Sequence, residues 1–375
     1  MKKILFISSS RADYGLLRDV IKETQKINSG TYLLVTGSHL SKEFGKTISE
    51  IKKDKIRNII KKKILKKKFD DVSICNYAAN AIKITTDVIK KIRPKVIVIL
   101  GDRYELLGSA MAAMLSRIPI AHIHGGELTY GAYDDSIRHS ITKLSHLHFP
   151  IHETYRKRLI QLGENPETIF NFGGLGAYSA SKTKFLNKIE LEKKLKFKIN
   201  KKIILVTFHP VTLEKNKSKY QIKNLIKFLD KFKKEIIIIT SSNIDNETDT
   251  IKEEILKFVK KKENAYFFLS LGNKSYISLM KIAYLVVGNS SSGVLETPSF
   301  GTKTINIGDR QNGRILSDNI ITSDYDFRSI NKAFSKIRKK TNRVSNPFLK
   351  KNTPKNIAKK ILSFKFDLKK NFFDL

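Results

Sequence analysis

Short runs of β-branched and aliphatic residues alternate with amphipathic segments along almost the whole chain, and few folds accommodate that alternation. In the first half the runs fall at 3–7, 32–35, 96–100, 118–123 and 146–151; in the second, at 203–208, 236–240, 266–269, 285–287 and 304–307. A run that is apolar throughout belongs to a strand covered on both faces, as in a parallel sheet flanked by helices. Leu16, Leu17, Val20, Ile21, Thr24 and Ile27 recur at spacings of three and four and predict a crossover helix after the first run. The fold class is therefore α/β. At 375 residues the chain is too long for one small core, so two doubly wound Rossmann-type domains with a cleft between them are expected. The pattern places one domain at 1–176, a second at 177–345 and a helical tail at 346–375. Gly173-Gly174-Leu175-Gly176 marks the junction, residues 179–183 read as a linker, and helical stretches at 330–339 and 354–364 are expected to brace the domains.

The formal charge of +37 invites a nucleic-acid or anionic-membrane reading. The lysines argue otherwise, being scattered through nearly every predicted helix and loop instead of forming one stripe interleaved with aromatics. Neither a nucleic-acid nor a membrane partner is expected, although a positive field would help to collect a diphosphate. Cys75 is the only cysteine, so no disulfide framework or multi-cysteine metal site is available, which fits a reducing compartment. The opening apolar stretch breaks at Ser8-Ser9-Ser10-Arg11, short of a secretory core, and no run approaches a membrane span, so a cytoplasmic location is expected.

In open parallel sheets ligands bind beyond the carboxyl ends of the strands, and the segments there are unusually polar. Ser8-Ser9-Ser10-Arg11-Ala12-Asp13-Tyr14-Gly15 follows the first run, with Arg11 suited to an anion and Gly15 to close backbone approach. It contains neither GxGxxG nor a Walker lysine motif, so no dinucleotide or P-loop nucleotide is indicated. Gly101-Asp102-Arg103-Tyr104-Glu105 and His122-Ile123-His124-Gly125-Gly126-Glu127 end two further runs. On the helix that follows, Asp134 shares a face with Arg138, and Asp135 with His139. Carboxylates and histidines gathered in one place suit proton transfer, because crowding and burial push their pKa values apart. A metal held by His122, His124, Glu127 and Asp134 is the rival; the basic neighbouring loops favour phosphate, and no cofactor is expected. In the second half, Phe208-His209-Pro210-Val211-Thr212, Asn243-Ile244-Asp245 and Gly308-Asp309-Arg310-Gln311 end strands. Asn289-Ser290-Ser291-Ser292-Gly293-Val294-Leu295-Glu296 sets three hydroxyls and the amides of a helix start where a phosphate would bind, with Glu296 placed for sugar hydroxyls.

In order and spacing these motifs resemble the hydrolysing UDP-N-acetylglucosamine 2-epimerases of sialic and nonulosonic acid synthesis. The set comprises RADYG at 11–15, GDRYE at 101–105, HIHGGE at 122–127, DDSIRHSITKLSHLHF at 134–149, FHPVT at 208–212, NSSSGVLE at 289–296 and the Arg310 region. The resemblance implies a GT-B-like fold, with UDP held mainly by the second domain, and a homo-oligomer, dimer or tetramer. By resemblance, Arg11, Gly15, Arg103, His209, Asn243, Leu271, Ser290, Ser291, Glu296 and Arg310 would bind the UDP-sugar. Asp102, Glu127, Asp134, His124, Arg138 and His209 would form the catalytic set. Many relatives carry a glutamate where this chain has His124, so either His124 or Glu127 takes that role. The implied reaction converts UDP-N-acetylglucosamine and water into UDP and N-acetylmannosamine through 2-acetamidoglucal. The alternative donor is a nucleotide-linked 2,4-diacetamido-2,4,6-trideoxyglucose, N,N'-diacetylbacillosamine, on the route to legionaminic acid. A GT-B glycosyltransferase would leave the carboxylate set without a purpose.

Overall fold

The computed structural model describes residues 2–41, 47–64, 70–242, 247–340 and 344–375. Twelve strands lie among them. In the first half these are β1 (Ile4–Ser8), β2 (Thr31–Val35), β3 (Ile59–Lys61), β4 (Val96–Leu100), β5 (Ile120–Ile123) and β6 (Leu147–Phe149). In the second they are β7 (Ile203–Thr207), β8 (Ile236–Thr240), β9 (Ala265–Phe268), β10 (Leu285–Gly288), β11 (Thr304–Ile307) and β12 (Ile320–Ser323). They form two parallel sheets, β3-β2-β1-β4-β5-β6 and β12-β11-β10-β7-β8-β9. Counted from the start of each half, both have the order 3-2-1-4-5-6, the doubly wound arrangement. Every residue of β1, β4, β7 and β8 is buried, as continuous apolar runs require of central strands.

Two compact units contain these sheets. The first comprises 1–127, 134–178 and 350–375; the second comprises 128–133 and 179–349. The crossover helix Arg11–Ile27 begins at a Ser10 cap whose side chain accepts from the Asp13 amide, with Asp13 closing the capping box. Its inner face sets Leu17, Val20 and Ile21 against Ile4, Phe6, Leu33 and Val98. Full burial of each such side chain contributes about 2 kcal/mol. Ile357 and Ile361 of the helix Thr353–Ser363 complete that core. In the second unit Ile204, Val206, Ile239, Val287 and Ile305 pack with Leu225, Phe228 and Ile337.

Two expectations need correction. Residues 179–183 are not a linker: the helix Leu175–Lys182 covers most of them, and the boundary between the units falls inside it. Ala177 and Ala180 are buried there, so the segment gains packing that a linker lacks. The two late helices are Phe327–Arg338 and Thr353–Ser363, and each packs into the core of one unit through Ile330, Ala333 and Ile337 or through Ile357 and Ile361. No described helix is long and apolar enough to cross a membrane.

Candidate active site

In each sheet the strand order reverses between the first and fourth strands of that half, β1 beside β4 and β7 beside β10. Crossovers leave such a point on opposite faces, so the loops after the two strands part and leave a crevice. The polar segments singled out by the sequence leave these two points: 9–13 and 101–103 in the first unit, 208–212 and 289–296 in the second.

Arg138 organises the first cluster. It lies on the helix Asp134–Leu144 and is 2% exposed. Its Nη2 pairs with Asp102 Oδ2, and its Nη1 donates to the Glu127 carbonyl at 2.8 Å. Asp102 is thus joined to Arg138, which stands four residues after Asp134 on the same helix. Asp134 is buried at the start of the same helix, where the dipole favours a carboxylate. Asp135 and His139 share a face as expected, 3.6 Å apart, and burial holds the His139 pKa below its ordinary value.

His122 and His124 diverge. His124 follows the end of β5 with φ +68, a left-handed conformation that costs a non-glycine residue on the order of 1 kcal/mol. That turn sets His124 Nδ1 2.6 Å from Glu127 Oε1, both side chains being almost fully buried. His122 Nε2 instead lies 2.8 Å from the Gly101 carbonyl and its Nδ1 3.3 Å from Thr142 Oγ1; burial lowers its pKa to about 3. It is a neutral brace under Gly101 and Asp102. Among the described residues no group of three or more His, Cys, Asp and Glu side chains is placed to hold a metal ion.

The loop bearing Arg11 is pinned from beneath. Asp13 accepts from the Ser9 amide at 3.0 Å and the Ser10 amide at 2.8 Å, and also from the Ser8 hydroxyl. Ser8 Oγ lies 2.8 Å from His39 Nε2, whose Nδ1 is 2.7 Å from Thr47 Oγ1. Burial raises the Asp13 pKa and lowers that of His39 to about 3, so the imidazole is neutral. Gly15 is buried one turn along the helix. Arg103 Nε lies 3.6 Å from Glu105 Oε2, and its guanidinium covers the Tyr104 ring at 4.7 Å.

The second unit builds a polar cradle. Asn289 clamps the strand-end backbone, accepting from the His209 amide at 2.6 Å and donating to the His209 carbonyl at 2.8 Å. Arg310 Nη1 and Gln311 Nε2 donate to the Asn289 carbonyl at 3.3 and 2.8 Å. Gly288 is required before it: at φ +141, a Cβ would lie 1.9 Å from the Thr207 carbonyl oxygen. Ser290 Oγ lies 3.0 Å from Ser292 Oγ, which lies 2.8 Å from the Tyr276 hydroxyl. The helix expected after the serines is a single turn, Ser292–Leu295, whose Gly293, Val294 and Leu295 amides bond back to Ser290 and Ser291. A long-helix dipole is therefore not available at these serines. Glu296 and Arg310 are buried, Leu271 lies against the apolar core, and Asn243 and Asp245 lie outside the described residues.

Sequence reasoning missed His39, Thr47, Tyr276 and the clamp made by Asn289. Only the Ser10–Asp13 spacing, a capping-box signal, hinted at the network under the first loop.

The family model for UDP-N-acetylglucosamine 2-epimerase matches residues 22–362. The chain belongs to the UDP-N-acetylglucosamine 2-epimerase family. A hydrolysing GDP/UDP-N,N'-diacetylbacillosamine 2-epimerase of Campylobacter jejuni is 44% identical to this family member over 342 residues, covering 90% of the chain and 88% of that protein. The Escherichia coli polysialic acid biosynthesis protein P7 is 37% identical over 391 residues, covering 100% of the chain and 98% of its own length. The crystal structure of Neisseria meningitidis UDP-GlcNAc 2-epimerase bound to UDP-GlcNAc superposes with a TM-score of 0.79 at 19% identity, covering 96% of this chain and 100% of that one. That likeness shows the fold, which is GT-B-like in this 2-epimerase family member as the motifs implied.

Proposed function

We propose that the protein is a hydrolysing 2-epimerase of nucleoside-diphosphate-linked N,N'-diacetylbacillosamine. The observation that carries the reading is the 44% identity, over nine-tenths of the chain, to a relative named for that donor. It favours the diacetamido donor over the N-acetylglucosamine donor that the motifs had put first. In the reaction, a base removes the C2 proton and the C1–O bond breaks, releasing the nucleoside diphosphate and leaving a glycal. Water then adds, hydroxyl to C1 and a proton to C2 from the opposite face, giving the free manno-configured sugar.

The inventory suits these steps. Asp102, Asp134 and the His124–Glu127 pair are the candidate acids and bases, His124 Nδ1 and Glu127 Oε1 being close enough for a proton to pass between them. Sharing that proton is how we resolve the choice between His124 and Glu127. Arg138 fixes Asp102, while His209, Ser290, Ser291, Glu296 and Arg310 would hold the nucleotide, with Arg11, Gly15 and Arg103 aiding the leaving diphosphate and Leu271 and Asn243 completing the set. The test is turnover with UDP- and GDP-linked diacetylbacillosamine and with UDP-N-acetylglucosamine, products resolved by NMR. A preference of at least about tenfold for a diacetamido donor, a difference of roughly 1.4 kcal/mol, is expected. Faster turnover of UDP-N-acetylglucosamine would restore the other reading.

A further inference from the structure

The helix Asp134–Leu144 carries Asp134 at its start and Arg138 one turn on, and the segment around Lys370 grips its other end. After the helix Thr353–Ser363 the backbone is tied in place by Lys2, whose Nζ donates to the carbonyls of Ile361 at 3.3 Å and Phe364 at 3.2 Å. Lys370 then reaches the carbonyl end of the helix. Its Nζ donates to Lys143 O at 2.8 Å, Ser145 O at 2.7 Å and Thr142 O at 3.3 Å. The same ammonium pairs with Glu164 Oε2 at 2.6 Å. Glu164, 1% exposed, lies 2.9 Å from both Lys143 Nζ and His148 Nε2. Burial opposes its charge, but His148 and Lys370 outweigh burial and hold its pKa below the ordinary carboxylate value. Two residues on, Phe372 packs over Gly163, and the Phe373 amide donates to the Gly163 carbonyl at 3.0 Å.

A cation bonded to the last carbonyls of a helix satisfies groups that have no partner within it and complements the negative dipole end. Here one ammonium does both while anchored to a buried carboxylate. A helix tied at Arg138 to Asp102 and the Glu127 carbonyl, and at its carboxyl end to Lys370, resists sliding along its axis. We propose that Lys370, through Glu164, is a positioning residue for the epimerase reaction, the C-terminal segment acting as a strap that fixes where Asp134 and Arg138 stand. Displacing a reacting group by about 1 Å costs up to about a hundredfold in rate, so the far end of the helix has kinetic leverage. This proposal rests on the reading of Asp134 and Arg138 given above.

The test compares wild type with Lys370→Met, which keeps the aliphatic stem, and Lys370→Arg, which restores the charge and donors. Rates are taken per UDP-binding site, so that inactive protein does not count. Lys370→Met is expected to lower kcat about 10- to 100-fold, with KM changed less than about threefold. Lys370→Arg should recover most of the loss. Hydrogen exchange in Lys370→Met should quicken at amides 138–144 and stay unchanged in the helix Arg11–Ile27. Wild-type kcat in Lys370→Met, or a loss that appears only in KM, would overturn the strap. If Lys370→Met does not fold, Glu164→Gln takes its place: about a fivefold or greater loss of kcat is expected, and wild-type kcat refutes the proposal. Absence of epimerase turnover in the wild type itself would count against the assigned reaction, whereas unchanged exchange at 138–144 in Lys370→Met would count against the strap alone.

Discussion

Acidification from about pH 7 to about pH 5 should destabilise the first unit through two histidines that it keeps neutral. His39 and His122 are held at about 3, against an ordinary value of 6.5, because burial penalises their charged forms. In the unfolded chain each takes up a proton as the pH falls through 6.5; in the folded chain neither does until near 3. The unfolded state therefore binds more protons throughout that window, and stability falls as the pH falls. At roughly 1.4 kcal/mol per unit, each histidine costs about 2 kcal/mol by pH 5, or about 4 kcal/mol together. Asp13, whose folded pKa burial raises, acts in the opposite sense and trims the slope. The chain has no tryptophan, so urea unfolding is followed by far-UV circular dichroism at each pH. His122→Gln keeps a donor for the Gly101 carbonyl and removes the titration, so the loss between the two pH values should shrink by about 2 kcal/mol even if the variant is less stable at pH 7. Equal stability at both pH values, or an unchanged loss in His122→Gln, would refute the reasoning.

Other substitutions probe the two clusters separately. Asp102→Asn and Asp134→Asn should each lower kcat by at least about a hundredfold while UDP affinity, measured calorimetrically, stays within about threefold; full turnover in either removes that carboxylate from the proton-transfer set. Ser291→Ala and Glu296→Ala should weaken UDP binding by about 1 to 2 kcal/mol, and unchanged affinity would place the nucleotide elsewhere. Gly288→Ala should destabilise the second unit by about 3 kcal/mol or more, because its methyl group would meet the Thr207 carbonyl in a backbone conformation that alanine resists. A melting curve that matches wild type would contradict the strand-end geometry.

The central strands were legible because burial on both faces writes a continuous apolar run: residues 96–100, 236–240 and 304–307 coincide with β4, β8 and β11. Of the four edge strands, β6 and β9 fall on the runs at 146–151 and 266–269, whereas β3 and β12 were missed. β3 is three half-exposed or exposed residues beside a lysine run, and β12 mixes polar and apolar positions, so neither carries the pattern of a covered strand. The motif loops were visible as polar breaks after apolar runs, but their wiring was not. Helix spacing set Arg138 on one face with Asp134, but nothing local signals that strand order also brings Asp102 within its reach. No spacing shows the positive φ that turns His124 toward Glu127 and away from His122. Contacts such as Lys370 with Glu164 join residues far apart in sequence, and no local pattern announces them.

The claim under all of this is that the C2–H bond breaks and reforms from solvent as the nucleotide leaves. Turnover of nucleotide-linked diacetylbacillosamine in heavy water is expected to release a free manno-configured sugar carrying one deuterium at C2. A released sugar that keeps its original C2 hydrogen, or that retains the gluco configuration, would reduce the reaction to simple hydrolysis and contradict the account.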